Sequence, residues 1–335
     1  MPRCLVTGAT GFIGPRLVPV LQAAGGDVAC LVRPTADTSR LEPLGVQLVT
    51  GDVTKPETLD AAVAGVDFVF HLAGRVFAPS YEKFAQVNVA GCSNIAAACA
   101  MQANPPVLVV ASSLAAAGPS PASGAHTERN EAAPISNYGR SKLDGELAAR
   151  EWAAEVPTTI VRPPVVFGQG DSAGLVLAKG IQRTGLHIVH RPGLPLSLVH
   201  ADDLSQALLL VARHGERLDP TDPRGTGLYY AADPTVSSYT EMGQMIADAL
   251  EQRLRVIRVR KWAMAVAGTV GELTGRLRGK ESPLNLDKFR EGTASGWVAS
   301  PEKLMNQTAF APAKSLAEHY RDTIDWYRKK GWLAK

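Results

Sequence analysis

The chain has 335 residues, 45% hydrophobic and 20% charged, with a formal net charge of +3. That length suits one large α/β domain with a smaller appended lobe. The small charge, without a basic stripe interleaved with aromatic residues, argues against a nucleic-acid partner, and no apolar run approaches the ~20 residues that span a bilayer.

The first element is a short strand over 3–7, built on Cys4-Leu5-Val6. It runs into Gly8-Ala9-Thr10-Gly11-Phe12-Ile13-Gly14 and a helix over 12–24. A strand entering a helix through a tight glycine turn aims backbone N–H groups and the positive end of the helix dipole at one point, where a pyrophosphate fits. Gly8 permits the turn, Gly11 lets the backbone approach the phosphates, and Gly14 lets the helix lie close on the sheet. A glycine turn without a ligand is the plain alternative, but its place between strand and helix favours a dinucleotide. Pro15 falls in the first turn, where a missing N–H costs nothing; Pro19 lies deeper and is expected to kink the helix. Gly25-Gly26 closes it.

Further strands are predicted over 28–32, 46–49, 68–71, 107–111 and 159–162, and helices over 56–63, 81–101 and 138–152. Continuous apolar strands of this length suit a parallel sheet covered on both faces. The alternation implies a Rossmann, doubly wound α/β sheet with its ligand at the carboxyl ends of the strands. Beyond Gly168 the rhythm changes and Gly and Pro become denser. Residues 1–168 are therefore assigned to the dinucleotide-binding domain and 169–335 mainly to a smaller C-terminal substrate-binding lobe, with 196–212 returning to the first domain. Cys4, Cys30, Cys92 and Cys99 form no C-x-x-C pair and are read as buried free thiols. His187 and His190 are spaced like a metal pair but lack an acidic or cysteine partner, so no metal site is expected. No secretory leader is legible, which leads us to expect a cytoplasmic protein.

The chemistry is concentrated in Tyr138-Gly139-Arg140-Ser141-Lys142. Tyrosine and lysine four apart stand on one helix face. A nearby ammonium favours phenolate, so Lys142 is expected to lower the pKa of Tyr138 toward neutrality. Ala111-Ser112-Ser113 ends the strand over 107–111, whose carboxyl end faces the cofactor crevice. A serine hydroxyl there can hold a substrate oxygen; the plain alternative is a helix cap.

Together these residues resemble the extended branch of the short-chain dehydrogenase/reductase superfamily, which includes epimerases, dehydratases and 3β-hydroxysteroid dehydrogenases. The glycine segment from Thr7 to Gly14 is similar to its fingerprint, implying cofactor contacts at Gly8, Thr10, Gly11, Phe12, Ile13 and Gly14. Gly51-Asp52-Val53 resembles the adenine-contacting element, and His71-Leu72-Ala73-Gly74 the segment beside the cofactor. Asn88-Val89-Ala90-Gly91 resembles a structural motif. Arg162-Pro163-Pro164-Val165-Val166-Phe167-Gly168 resembles the segment near the nicotinamide, implying contacts at Pro163, Val165 and Val166. Val199-His200-Ala201-Asp202-Asp203-Leu204 resembles a late family element. The resemblance implies a catalytic set of Ser113, Tyr138 and Lys142. Ser113 is chosen over Ser112 because it stands five residues before Gly118. Ser113 and Tyr138 would bind the substrate oxygen during hydride transfer, and Lys142 would also grip the ribose.

An acidic residue about 20 positions after the fingerprint would select NAD. Arg33 stands there instead, and a guanidinium can pair with a 2′-phosphate, so NADP is preferred over NAD. Asp37 lies close enough to reach a ribose in the other case. Dehydratase-like members carry Asp-Glu after the catalytic hydroxyl, and sugar-nucleotide members a Tyr before the glycine; here Leu114-Ala115 and Ala117 stand there. The segment resembles the steroid-dehydrogenase version. It implies an oxidoreductase acting on a hydroxyl or ketone of a lipophilic, sterol- or triterpenoid-like small molecule. A sugar-nucleotide epimerase and a non-catalytic NADPH-binding protein are the alternatives. Trp262, Val266, Val270, Leu273 and Leu277 form a stripe flanked by basic residues, read as a peripheral membrane contact, as the roof of an apolar substrate pocket or, more plainly, as a lobe helix on the core, with Arg253, Arg255, Arg258 and Arg260 a solvated strand edge. The helices over 81–101 and 138–152 resemble the pair through which the family forms homodimers.

Overall fold

The computed structural model describes residues 1–122, 124–222, 225–262, 265, 269 and 286–334. Six strands of the first half are β1 (Arg3–Thr7), β2 (Asp27–Val32), β3 (Gln47–Thr50), β4 (Phe68–His71), β5 (Val107–Ala111) and β6 (Thr158–Arg162). Four short strands follow: β7 (Val165–Phe167), β8 (Leu186–Val189), β9 (Pro195–Leu196) and β10 (Leu198–His200). Then come β11 (Leu228–Tyr230), β12 (Ser237–Ser238) and β13 (Arg255–Arg258). The central sheet has seven parallel strands in the order β11-β6-β5-β4-β1-β2-β3. This is the doubly wound Rossmann arrangement, whose strand order reverses between β1 and β4.

Alternation along each strand builds two cores. Val6, Phe70, Val109 and Val161 face one side, with Leu17, Val18 and Leu21 of helix α1 (Gly14–Ala23). Leu5, Val69, Leu108 and Ile160 face the other, with Val63 of α2 (Asp60–Val63). Helices α3 (Tyr81–Asn88), α4 (Ala90–Ala100), α5 (Leu114–Ala117) and α6 (Asn137–Arg150) follow along the chain. Ile95 and Cys99 of α4 and Ala149 of α6 belong to the second core. All four cysteines are buried and free.

Several expectations change in detail. The helix over 12–24 starts at Gly14, places Pro15 in its first turn and runs through Pro19 as one element. The segment over 81–101 is two helices divided at Val89, where the backbone reaches φ −100° and ψ −65°. Beside the division, Asn88 is tied by its side chain to neighbouring segments. Its side-chain carbonyl accepts from Arg75 N at 2.7 Å, and its amide donates to Arg75 O and to Ser141 Oγ.

The second half adds α7 (Ser172–Thr184), α8 (Ala201–His214) and α9 (Tyr239–Ala249). Leu204, Ala207, Leu208 and Val211 of α8 join the α1 face. So do Tyr229 of β11, Leu304 and Phe310, which the domain boundaries placed in the lobe. The lobe has its own core of Ile181, Ile246, Leu250 and, from helix Leu316–Lys329, Tyr320, Ile324 and Tyr327. Phe167 of β7 reaches into it, stacked on Tyr320 with centroids 4.0 Å apart. His187 Nε2 bonds Tyr239 O, and His190 Nδ1 bonds Val259 O, so both rings serve the lobe backbone. Of the stripe from Trp262 to Leu277, only Trp262 lies within the described residues.

Candidate active site

The crevice forms at the carboxyl ends of β1 and β4. Gly8 has φ +69°, and a Cβ there would lie 2.5 Å from Ala73 N. Only glycine lets these two strand exits touch. Gly11 N donates to Gly8 O at 3.0 Å and closes the turn. A Cβ on Gly14 would lie 2.2 Å from Ala9 O, so helix α1 starts directly against the turn. Its N-cap, Ile13, has no side-chain cap, and its first turn holds no acidic residue. A helix start without a competing carboxylate, set behind a bare glycine turn, fits a pyrophosphate. Thr10, Phe12 and Ile13 line that turn and are partly exposed.

A buried pair fixes the two exits. Thr7 Oγ1 and His71 Nδ1 share a 2.9 Å hydrogen bond, and Ala73 N donates to Thr7 Oγ1. Burial, with the ammonium of Lys142 adding to it, pushes His71 down to about 3, so the ring is neutral. Leu72 and Ala73 are partly buried beside this pair, and Gly74 is exposed, its missing Cβ 3.6 Å from Lys142 Nζ. Asp52 turns its carboxylate onto its own loop, accepting from Thr54 N and Oγ1. Val53 is buried and its carbonyl accepts from Asn94. Arg33 is exposed just beyond β2. On the other flank, Pro163 O accepts from Leu114 N at 2.8 Å, while Val165 is 48% exposed and Val166 partly buried.

The two serines at the end of β5 part company. Ser113 caps α5, accepting from Ala115 N at 3.1 Å, and is hydrogen-bonded to the phenol of Tyr138. Ser112 is buried and donates to Glu146. Lys142 Nζ donates to Ala111 O at 2.7 Å.

One electrostatic expectation fails. Burial pushes the Tyr138 phenol up to about 12; the Ser113 hydrogen bond pulls it down, and the Glu291 carboxylate adds to the rise. The Lys142 ammonium is directed at the Ala111 carbonyl instead. Burial in turn holds Lys142 below its usual range.

Sequence reasoning missed the pair beneath the site. Glu146 of α6 and Arg162 of β6 are both nearly fully buried and bonded twice, Nε to Oε1 at 2.8 Å and Nη2 to Oε2 at 2.6 Å. Arg162 Nη1 also donates to Tyr230 at 3.0 Å. With Ser112, this network ties α6, β5, β6 and β11 together and so aims Tyr138 and Lys142. The signal available was an arginine ending a wholly buried strand, which demands a carboxylate. Also missed was helix Leu286–Gly292 of the lobe. Its Glu291 accepts from Ser136 Oγ at 2.7 Å and its Asp287 from Asn137 N at 2.9 Å. Both carboxylates sit at the positive end of the α6 dipole, beside Tyr138.

The sheet order and the crevice define a class, the Rossmann dinucleotide-binding enzymes. The chain belongs to the NAD dependent epimerase/dehydratase family, whose sequence model matches residues 4–222, within the extended short-chain dehydrogenases/reductases. It is an NAD-dependent oxidoreductase of that group. It is 32% identical to the ceramide reductase of Caulobacter vibrioides over 98% of this chain and 96% of that one. It is 30% identical to the 2-alkyl-3-oxoalkanoate reductase of Shewanella oneidensis over 86% of this chain and 76% of that one. The crystal structure of gox2253 superposes with a TM-score of 0.80 at 25% identity, covering 99% of this chain and all of that one.

Proposed function

We propose that this chain is a reductase that moves a hydride between a nicotinamide and a hydroxyl or ketone carbon of a lipophilic small molecule. The observation that carries the reading is the placement of Ser113 at the end of β5 next to Tyr138 and Lys142 of α6, whose Nζ reaches Ala111 O beside the crevice. The bound nicotinamide supplies or accepts the hydride. Ser113 holds the substrate oxygen, and Tyr138, kept protonated by its burial, donates a proton to it during ketone reduction. Lys142 is placed between Ala111 O and Gly74, where it would hold a ribose hydroxyl. Two features support a lipophilic substrate. Leu114 and Ala115 after Ser113 cannot ionise, which disfavours a dehydratase. Two relatives are named for ceramide and for 2-alkyl-3-oxoalkanoates, both carriers of alkyl chains.

The test is oxidation of NADPH or NADH over a panel of long-chain and steroid ketones. Wild type should turn over, and Tyr138→Phe should lose about 10²–10⁴-fold while still binding nucleotide. Equal rates for the two proteins would leave a non-catalytic nucleotide-binding protein. Epimerisation of a UDP-sugar with no ketone reduced, and NAD released only on denaturation, would make the chain a sugar-nucleotide epimerase.

NADP is the cofactor this reading prefers, through the exposed Arg33 after β2. Replacing Arg33 with Asp should weaken NADPH about tenfold or more in a binding titration and leave NADH the better ligand. A cytoplasmic location accords with four unpaired cysteines. A homodimer through α3, α4 and α6 accords with the apolar surface kept by Leu147, 50% exposed, and Met101, 75% exposed. Light scattering should find a dimer that Leu147→Glu weakens.

A further inference from the structure

The lobe carries a ribbon outside the central sheet, with β8 and β13 paired in parallel. Ile188 stands opposite Ile257, and paired residues share a face. On β8 the alternate residues His187 and Val189 are buried, whereas their partners on β13, Val256 and Arg258, are exposed. Ile188 and Ile257 are 60% and 42% exposed, and Val256 is 40% exposed. Trp262, four residues past the end of β13, is 65% exposed.

Charge frames this apolar edge with one sign. Arg253, Arg255, Arg258, Arg260 and Lys261 are all exposed, and no Asp or Glu stands between Arg253 and Trp262. None of the five forms an ion pair with a described residue. Cations alone on an edge strand are a common guard against strand pairing. A guard does not explain an exposed indole and two exposed isoleucines beside them. A second copy of the chain meeting this edge would set these cations against their equals.

We infer that the β8–β13 ribbon is a docking face for an anionic phospholipid bilayer. The indole and the isoleucines enter the headgroup boundary, and the five cations meet lipid phosphates. No helix among the described residues is long and apolar enough to cross a membrane, so the contact is peripheral. It does not depend on which substrate the enzyme takes.

Flotation of the full chain with vesicles tests this. Binding should be seen with phosphatidylcholine vesicles containing phosphatidylglycerol, not with phosphatidylcholine alone, and should be lost at high salt. Arg255→Glu/Arg258→Glu/Arg260→Glu should lower partitioning about 100-fold. Ile188→Ser/Trp262→Ala should also lower it, and both variants should melt and bind nucleotide as wild type does. The salt titration of wild type gives a reading that needs no variant. Absence of flotation with anionic vesicles, or variants that float like wild type, would overturn the proposal. So would a chain that dimerises through this edge, seen as light scattering that the same substitutions reduce to monomer. Failure to reduce any ketone would leave flotation untouched, so the two readings can fail separately.

Discussion

Glu146 and Arg162 meet with almost no water around them, and such a pair contributes little net stability because both charges were desolvated to make it. Its removal from one side is another matter. Arg162→Leu strands a carboxylate in the core and should cost about 3–5 kcal/mol, read from urea unfolding. Arg162→Met with Glu146→Leu should recover most of that loss, yet leave α6 less well aimed and turnover reduced. Glu291 acts on the same helix from outside. Because its carboxylate raises the Tyr138 phenol, Glu291→Gln should move the alkaline limb of the reduction rate to lower pH. A limb that stays in place would show that the carboxylate does not reach the phenol in the working enzyme.

At the scale of elements, the glycine turn was the most legible feature, because its constraints are local. Gly8→Ala tests it. The backbone of Ala73, 2.5 Å from the added carbon, cannot move aside as a side chain would, and φ +69° is itself unfavourable. Nucleotide binding should be lost in a titration, and the melting temperature should fall. The break at Val89 was illegible, because the apolar pattern runs on through both helices; the long-range bonds of Asn88 to Arg75 and Ser141 beside it were equally out of reach of local pattern. β11 was missed because Leu228–Tyr230 is a three-residue strand after a run rich in Gly and Pro, too short for periodicity to register. The Tyr138–Lys142 spacing placed both side chains on the right helix. It could not reveal that Ala111 O, from a strand 31 residues away, takes the ammonium.

For the whole molecule, buried neutral histidines set the response to acid. Burial depresses His71 to about 3, and burial with the neighbouring His319 depresses His200 to about 4, against an unfolded value of 6.5. Below pH 6.5 the unfolded chain therefore binds protons that the folded chain refuses, so stability is present above that pH and declines as pH falls toward 4 and 3. Urea midpoints should drop between pH 7 and pH 5; a midpoint constant across that interval would contradict the buried, neutral state of both rings.

The last long helix braces the rear of β7. Tyr320 stacks on Phe167, Tyr327 donates to Asp171 O at 2.7 Å, and His319 Nε2 lies 2.8 Å from the Asp203 carboxylate. On the ribosome, Phe167 emerges well before the helix that braces it. A nascent chain therefore carries Phe167 without its stacking partner until residues 316–329 have been made. The packing behind β7 is thus among the last parts of the molecule to close.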